Sequence, residues 1–257
     1  IIGRLDKLEL LHCLMRVCPL PDLQLEKFFA SMRSLLLAHL DKFEPSPELI
    51  RFLSTLSIHC FVNEYVYFES DEEICLVDDL EDKIRIAAAR SEQPGVLEIL
   101  CLASYRPLHK YDWCQNLEEI DRLKDVKQRL IEEPLTEKEI ARNVPTLETI
   151  ADGVSRKVRE QYEENPYPRW ERLRIPLRGV SISEHCDEKN LRLHSRGIKE
   201  VTDPAILIAG CGTGQHSIES ASYFSNCHVT AIDLSRTSLA YAQRKTNDLD
   251  LGNLDYI

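Results

Sequence analysis

A glycine-rich segment between two apolar runs carries the clearest chemistry in the sequence. The continuous apolar run Ala205–Ala209, which is predicted to be a buried parallel strand, leads directly into Gly210-Cys211-Gly212-Thr213-Gly214, and a helical pattern follows from Gln215 to Phe224. A strand that ends in such a loop presents backbone N–H groups and a helix N-terminus to a ligand. Glycine permits backbone angles closed to other residues and leaves no side chain between backbone and ligand. All five loop residues are therefore predicted to bind a ligand.

An acidic residue follows the second apolar run. Cys227–Ile232 is predicted to form a β-strand, which ends at Asp233. A carboxylate at the tip of the second strand can accept hydrogen bonds from both hydroxyls of a ribose. Each charge-assisted bond of that kind contributes about 1.5–3 kcal/mol. Leu234, one residue further on, would offer an apolar face to an adenine. Asp233 and Leu234 are therefore predicted to bind the nucleoside part of the ligand.

The spacing of the glycines separates two classes of cofactor. A dinucleotide-binding turn has the spacing G-x-G-x-x-G, which requires a glycine at position 215, where this sequence has Gln215. The third glycine is instead Gly214, and the resulting G-x-G-x-G form resembles motif I of class I S-adenosylmethionine (SAM) dependent methyltransferases. A nucleotide-dependent oxidoreductase is therefore disfavoured.

Further strings of residues extend this resemblance. Gln161–Trp170 and Leu207–His216 resemble bacterial methyltransferases that carry tetratricopeptide repeats near the N-terminus. His59–Val66 resembles the helical region between the repeats and the catalytic domain of that group. The resemblance covers most of the chain, but its motifs lie only in 161–170 and 205–235. It implies a Rossmann-like domain with a seven-stranded sheet, SAM as cofactor and S-adenosylhomocysteine as product.

The same resemblance gives a role to the segment before the first strand. In related folds a helix at this place covers the cofactor pocket, so Tyr162 or Tyr167 would contact SAM. Docking of that helix on the sheet is an equally good role for these aromatic residues. The order of residues in Asn165–Pro168 excludes the Asn-Pro-Pro-Tyr motif of amino-group nucleic-acid methyltransferases, which has two adjacent prolines.

The sequence departs from the family pattern at one position. Family members usually carry Asp or Glu two residues before the first glycine, where it helps to hold the methionine amino group, and this sequence has Ile208. Backbone carbonyls or another segment must then recognise that group. His216 follows the loop, but methyl transfer takes place near later strands, so we expect a helix-surface or packing role for it. No catalytic residue can be named, and the acceptor stays unidentified.

Composition limits the partners. Among 257 residues, 43% are hydrophobic and 29% are charged, as in a soluble globular protein. The net charge of −11 argues against charge-driven binding of nucleic acid or a membrane surface. The nine cysteines form no Cys-x-x-Cys pair, so no metal site is predicted, and they suit a reducing compartment. With no long apolar run and no secretory signal, a cytoplasmic location is expected.

The pattern along the chain divides it into three parts. Residues 1–145 are predicted to be an all-helical domain, in which Ser46-Pro47 begins one helix and Thr136–Glu139 caps another. Residues 146–203 are predicted to form a helix, starting near Leu147, and a connector with one short strand. Residues 204–257 are predicted to be the N-terminal part of the SAM-binding domain. The expected fold class is therefore α/β, with an incomplete Rossmann-like domain after a helical region.

Two expectations complete the analysis. The chain begins at Ile1 and ends where a strand starts, so we expect a fragment that is inactive by itself and whose residues 171–257 are poorly stable alone. The parent protein is expected to transfer the SAM methyl group to an acceptor, which fold analogy suggests is a protein. The alternative is a helical interaction scaffold with a SAM-binding or vestigial methyltransferase domain, which Ile208 favours.

Overall fold

A computed structural model describes residues 1–117, 121–147, 153–164, 166, 168–176, 178–194 and 196–257. The chain forms two compact units, Ile1–Leu135 and Thr136–Ile257. The predicted boundary between a helical domain and the segment leading to the sheet, at residue 145, stays a prediction. The expected helix over residues 148–152 and the expected role of Tyr167 lie outside the described residues.

The first unit is built from helices, and none of its described residues forms a strand. A π-helical turn over Gln128–Glu132 joins the last two of its helices, and the division between the units falls inside the second of these. The helices are α1 (Ile2–Leu5), α2 (Glu9–Val17), α3 (Leu23–Ala38), α4 (Pro47–Val62), α5 (Asp71–Ala89), α6 (Val96–Ala103), α7 (Lys124–Lys127) and α8 (Glu133–Asn143).

Helix α4 lies at the centre of this unit. The Ser46 hydroxyl accepts a bond from Leu49 N–H at 3.2 Å, and Pro47 occupies the first helical position, which confirms the predicted start. Most residues from Leu49 to Val62 are buried, because the helix is apolar on nearly all sides. The core of this unit therefore forms around α4.

The predicted cap at Thr136 is wrong. Thr136 lies inside α8, which begins at Glu133 and continues the preceding π turn, so the helix has no free N–H groups there to cap. Glu137 is instead buried, and it accepts a bond from Arg244 Nε at 2.8 Å and lies 3.5 Å from Arg169 Nη1. The Glu137 carboxylate therefore pairs with buried arginines of the second unit and caps no helix.

The second unit contains a small sheet. Three strands, β1 (Ala205–Ala209), β2 (His228–Ile232) and β3 (Leu254–Tyr256), are parallel in that order. Ile208 of β1 pairs with Ala231 of β2, which pairs with Tyr256 of β3. The predicted first strand is confirmed, and the second begins one residue later than predicted. The elements are α9 (Gly153–Glu164), α10 (Ile182–Glu188), β1 (Ala205–Ala209), α11 (Gln215–Tyr223), β2 (His228–Ile232), α12 (Arg236–Asp248) and β3 (Leu254–Tyr256).

Among the described residues of the second unit, α11 and α12 cover one face of the sheet. Side chains from α11 and α12 pack with Ile208, Val229 and Tyr256 in one core, as expected when consecutive parallel strands add in one direction with the usual right-handed crossovers. On the opposite face Leu207 is 66% exposed. The expectation that the apolar run 205–209 is buried is therefore wrong for Ala205, Leu207 and Ala209, since β1 is an edge strand and alternate side chains point to opposite faces.

The described residues of the connector before β1 include α10, a short 3-10 helix over Arg196–Glu200 and an isolated bridge. The expected short strand is reduced to a parallel bridge between Val180 and Phe224. Ser181 and Glu184 form a capping box that begins α10. The chain as a whole is mostly helical with a three-stranded parallel sheet near its C-terminal end, which is compatible with the first part of a Rossmann-like methyltransferase domain. None of the described helices is long and apolar enough to cross a membrane.

Glu137→Gln is expected to destabilise the second unit by about 3 kcal/mol, because it removes the buried negative charge that bonds to Arg244 and faces Arg169, while Arg244 keeps its ion pair with the more exposed Asp248 of its own helix. Urea unfolding followed by Trp170 fluorescence, in a Trp113→Phe background that leaves one tryptophan, measures this change. Glu139→Gln is the matched control on the same helix. Its carboxylate is exposed and pairs with Arg142, so a much smaller loss is expected. Equal losses in both variants would contradict the role of Glu137.

Candidate functional site

The loop between β1 and α11 leaves its backbone open. Gly210 and Gly212 have φ angles of +70° and +54°, in the left-handed region that favours glycine. The N–H groups of Gly210 and Cys211 bond to Ile232 O at 2.8 and 3.1 Å, which fixes the start of the loop to β2. A Cβ atom built on Gly210 or Gly212 would meet nothing within 4 Å. There is therefore free space directly in front of these two residues.

Gly214 has a different reason to be glycine. Its φ is +80°, and an added Cβ would overlap the Ala242 side chain and lie 2.9 Å from Tyr256 Oη. Gly214 therefore lets the loop pack closely on α12 and β3. It is also the N-cap residue of α11 and has no side chain to cap that helix. In the described part of the chain no acceptor bonds the N–H groups of Gln215 and His216, so the positive end of α11 faces the loop region.

Asp233 ties the loop to the start of α12. Its Oδ2 accepts a bond from Gly212 N–H at 2.8 Å, and its Oδ1 accepts one from Ser235 N–H at 3.0 Å. A carboxylate has about four acceptor positions, so each oxygen can accept one further bond. Asp233 is partly exposed. The structure thus brings the predicted acid to the predicted loop and leaves it able to bind hydroxyl groups.

The end of α9 is anchored beside this acid. The Thr237 hydroxyl bonds to Tyr162 O at 3.0 Å, and the carboxylate of Glu163 accepts a bond from Arg236 N–H at 2.6 Å. Tyr162 O and the Glu163 carboxylate therefore contact the first turn of α12, which follows Leu234 closely in the chain. The side chain of Leu234 is 43% exposed. Tyr162 is 41% exposed, and its backbone oxygen makes this contact. The helix that was predicted to cover the pocket therefore ends close to Asp233 and Leu234.

The remaining loop side chains face the protein. Thr213 is 2% exposed, and its hydroxyl donates to Pro168 O at 2.9 Å. Cys211 is also buried, and burial together with the negative charge of Asp233 raises the pKa of its thiol to about 12. A thiol with that pKa stays protonated near neutral pH and is a poor nucleophile. Cys211 and Thr213 can therefore offer a ligand their backbone atoms only.

Two other positions behave as the sequence indicates. Ile208 is the residue two positions before the first glycine, and its side chain is buried in the core of the second unit. This position therefore supplies no carboxylate to a ligand. His216 is exposed on α11. Among the described residues, no cluster of three or more His, Cys, Asp or Glu side chains could hold a metal ion.

Several residues at the site were not assigned a role from the sequence. Trp170 Nε1 donates to Thr213 O at 2.9 Å, and Glu163 and Thr237 join α9 to α12. In the sequence, Trp170 stands out only as the last residue of the Gln161–Trp170 motif. Its rarity was the available signal, since the chain has two tryptophans.

Gly214→Ala is expected to destabilise the second unit by about 2–4 kcal/mol, because it adds overlap with Ala242 to an unfavourable φ. Gly212→Ala is the control. It carries only the backbone cost of about 1–2 kcal/mol, and its methyl group would occupy the free space in front of the loop. Thermal unfolding of both variants measures the difference. Equal destabilisation would show that Gly214 has no special packing role.

The protection of Cys211 is testable by alkylation. With iodoacetamide at pH 8, the exposed residues Cys13 and Cys75 are expected to react well before Cys211, because the Cys211 thiol is both buried and protonated. Peptide mass spectrometry of the folded protein gives the order. Modification of Cys211 as fast as that of Cys13 would show that the loop is open or the thiol ionised.

The comparisons with known proteins bear on this part of the chain. Residues 206–257 match the family model described as "Methyltransferase domain". The match runs from β1 to the end of the chain and includes the glycine loop, Asp233 and Leu234. The comparison with curated proteins gives no match. The segment that holds the candidate site is therefore similar to methyltransferase domains, and this supports a class I methyltransferase domain there.

Proposed function

We propose that the protein is a SAM-dependent methyltransferase. The observation that carries the proposal is the bond from Gly212 N–H to the carboxylate of Asp233, which joins an open glycine loop to an acid at the tip of the next strand. Bound SAM supplies an electrophilic methyl group on its sulfonium, and S-adenosylhomocysteine remains after transfer to the acceptor. The similarity of residues 206–257 to methyltransferase domains supports this reaction class.

The proposed cofactor contacts lie along the glycine loop and the residues beside it. Gly210, Cys211, Gly212, Thr213 and Gly214 contribute backbone atoms, with the free space in front of Gly210 and Gly212 taking the ligand. The N-terminus of α11 suits the carboxylate of the methionine part. Asp233 binds the ribose hydroxyls, Leu234 packs on the adenine, and Tyr162 closes the pocket from the end of α9.

The acid at the site fits SAM better than NADP, the dinucleotide whose ribose carries a 2′-phosphate. The negative charge of Asp233 suits neutral ribose hydroxyls and repels a 2′-phosphate. Because Ile208 is buried and apolar, the amino group of the methionine part must bond to groups other than the side chain at that position. The protein's own contribution to catalysis is then to hold the cofactor in line with an acceptor.

The acceptor and the cellular setting belong to the same proposal. We infer a protein as methyl acceptor or partner, and a cytoplasmic enzyme of the tetratricopeptide-repeat-associated bacterial type. The helical unit Ile1–Leu135 supports a protein partner by fold analogy. The nine free cysteines support a reducing compartment.

A second candidate function is a helical scaffold whose SAM-binding domain does not transfer methyl groups. Ile208 favours it, because an apolar side chain occupies the position of the usual carboxylate for the amino group. Transfer of a labelled methyl group from SAM to protein separates the two functions when the parent protein is added to a cell extract and compared with the extract alone, because this chain is expected to be inactive by itself. Incorporation of label supports the enzyme, and SAM binding without incorporation supports the scaffold.

Asp233→Ala is expected to weaken SAM and S-adenosylhomocysteine binding by about 1.5–3 kcal/mol, because the ribose loses a charged acceptor. Calorimetric titration with SAM, S-adenosylhomocysteine and NADH measures the affinities. Asp255→Ala is the matched control, since Asp255 is an exposed carboxylate on β3 that bonds to His228. Tight NADH binding with no SAM binding would overturn the proposed function.

A further inference from the structure

Two hydrogen bonds join the glycine loop to the segment Pro168–Glu171. Trp170 Nε1 donates to Thr213 O, and the Thr213 hydroxyl donates to Pro168 O, each at 2.9 Å. The two bonds use both the backbone and the side chain of Thr213. Thr213 is 2% exposed and Trp170 is 9% exposed, so water does not compete strongly for these bonds.

Trp170 is itself held firmly. The Tyr241 hydroxyl bonds to Trp170 O, and the two rings meet edge to face with centroids 5.9 Å apart. Lys245 Nζ lies 5.6 Å from the centre of the Trp170 ring and bonds to Glu171 at 2.9 Å. These contacts fix the indole against α12, so its N–H has a defined direction.

The bond from Trp170 controls one peptide plane of the loop. Thr213 C=O and Gly214 N–H belong to the same planar peptide group, so fixing the oxygen also fixes the N–H. That N–H donates to Cys211 O at 3.0 Å and closes the turn. Glycine adopts positive and negative φ with similar ease, so Gly214 alone would not prevent this peptide plane from rotating.

We infer that Trp170 is a positioning residue for the cofactor loop, an inference that rests on the proposed function. Trp170 does not contact the ligand. It holds the Thr213–Gly214 peptide in the orientation that keeps the turn closed and the N-terminus of α11 directed at the binding space. Residues 168–171 therefore influence the affinity of the loop for the cofactor without contacting the cofactor.

Trp170→Phe tests the inference, because it removes the indole N–H and keeps an aromatic ring beside Tyr241 and Lys245. In the full chain, backbone hydrogen exchange of residues 210–215 is expected to accelerate more than that of β2. The affinity for S-adenosylhomocysteine is expected to fall about three- to ten-fold, the effect of one net hydrogen bond. Trp113→Phe, which changes the other tryptophan of the chain, should leave both measurements unchanged.

A second pair of variants separates positioning from general stability. Thr213→Val removes the hydroxyl bond to Pro168 and is expected to act like Trp170→Phe. Thr213→Ser keeps the hydroxyl and is expected to restore both loop protection and affinity. If the role is purely structural, exchange will instead accelerate equally across β1, β2 and α12 in Trp170→Phe and Thr213→Val. The affinity of Thr213→Ser will then not exceed that of Thr213→Val.

The outcomes for the loop and for the cofactor are distinguishable. Unchanged loop exchange and unchanged affinity in Trp170→Phe would overturn the positioning role while leaving the proposed function intact. If the unaltered protein binds neither SAM nor S-adenosylhomocysteine, the proposed function fails, and the positioning role for cofactor fails with it. Loop exchange would then still report whether Trp170 orders the turn.

Discussion

The carboxylate of Asp233 is the constraint on which the geometry of the site depends. One oxygen bonds to the N–H of Gly212 and the other to the N–H of Ser235, so a single side chain fixes both the first βα turn and the start of α12. Charge-assisted bonds of this kind are stronger than neutral ones. Since these two turns border the same space, a ligand that reaches Asp233 also faces the open backbone of the loop.

A second set of interactions holds the loop from the side away from that space. Trp170 lies between the glycine loop and α12. The ammonium group of Lys245 lies over the Trp170 ring and forms an ion pair with Glu171, the next residue in the chain. Nearby in the same unit, Glu137 bonds to Arg244, so charges from α8 and α12 neutralise each other in a buried place. Buried ions require partners, so these side chains must be in place together for the charges to be compensated.

Local pattern in the sequence was enough to predict β1, the glycine loop and the acid that follows β2, because apolar runs and glycine spacing act over a few residues. The burial of Leu207 was predicted wrongly, since burial depends on which elements cover each face. Contacts between distant residues were also out of reach. Trp170 and Thr213 are 43 positions apart, and Glu137 and Arg244 are 107 apart, so no periodicity relates them.

The most direct measurement of the central claim is an NMR titration of the ¹⁵N-glycine-labelled protein with S-adenosylhomocysteine. The chain has nine glycines, so each amide can be followed separately. The account predicts that the signals of Gly210 and Gly212 move, because their backbone borders the free space, while those of Gly3 and Gly95 in the helical unit do not. Movement restricted to Gly3 and Gly95, or no movement at saturating ligand, would contradict it.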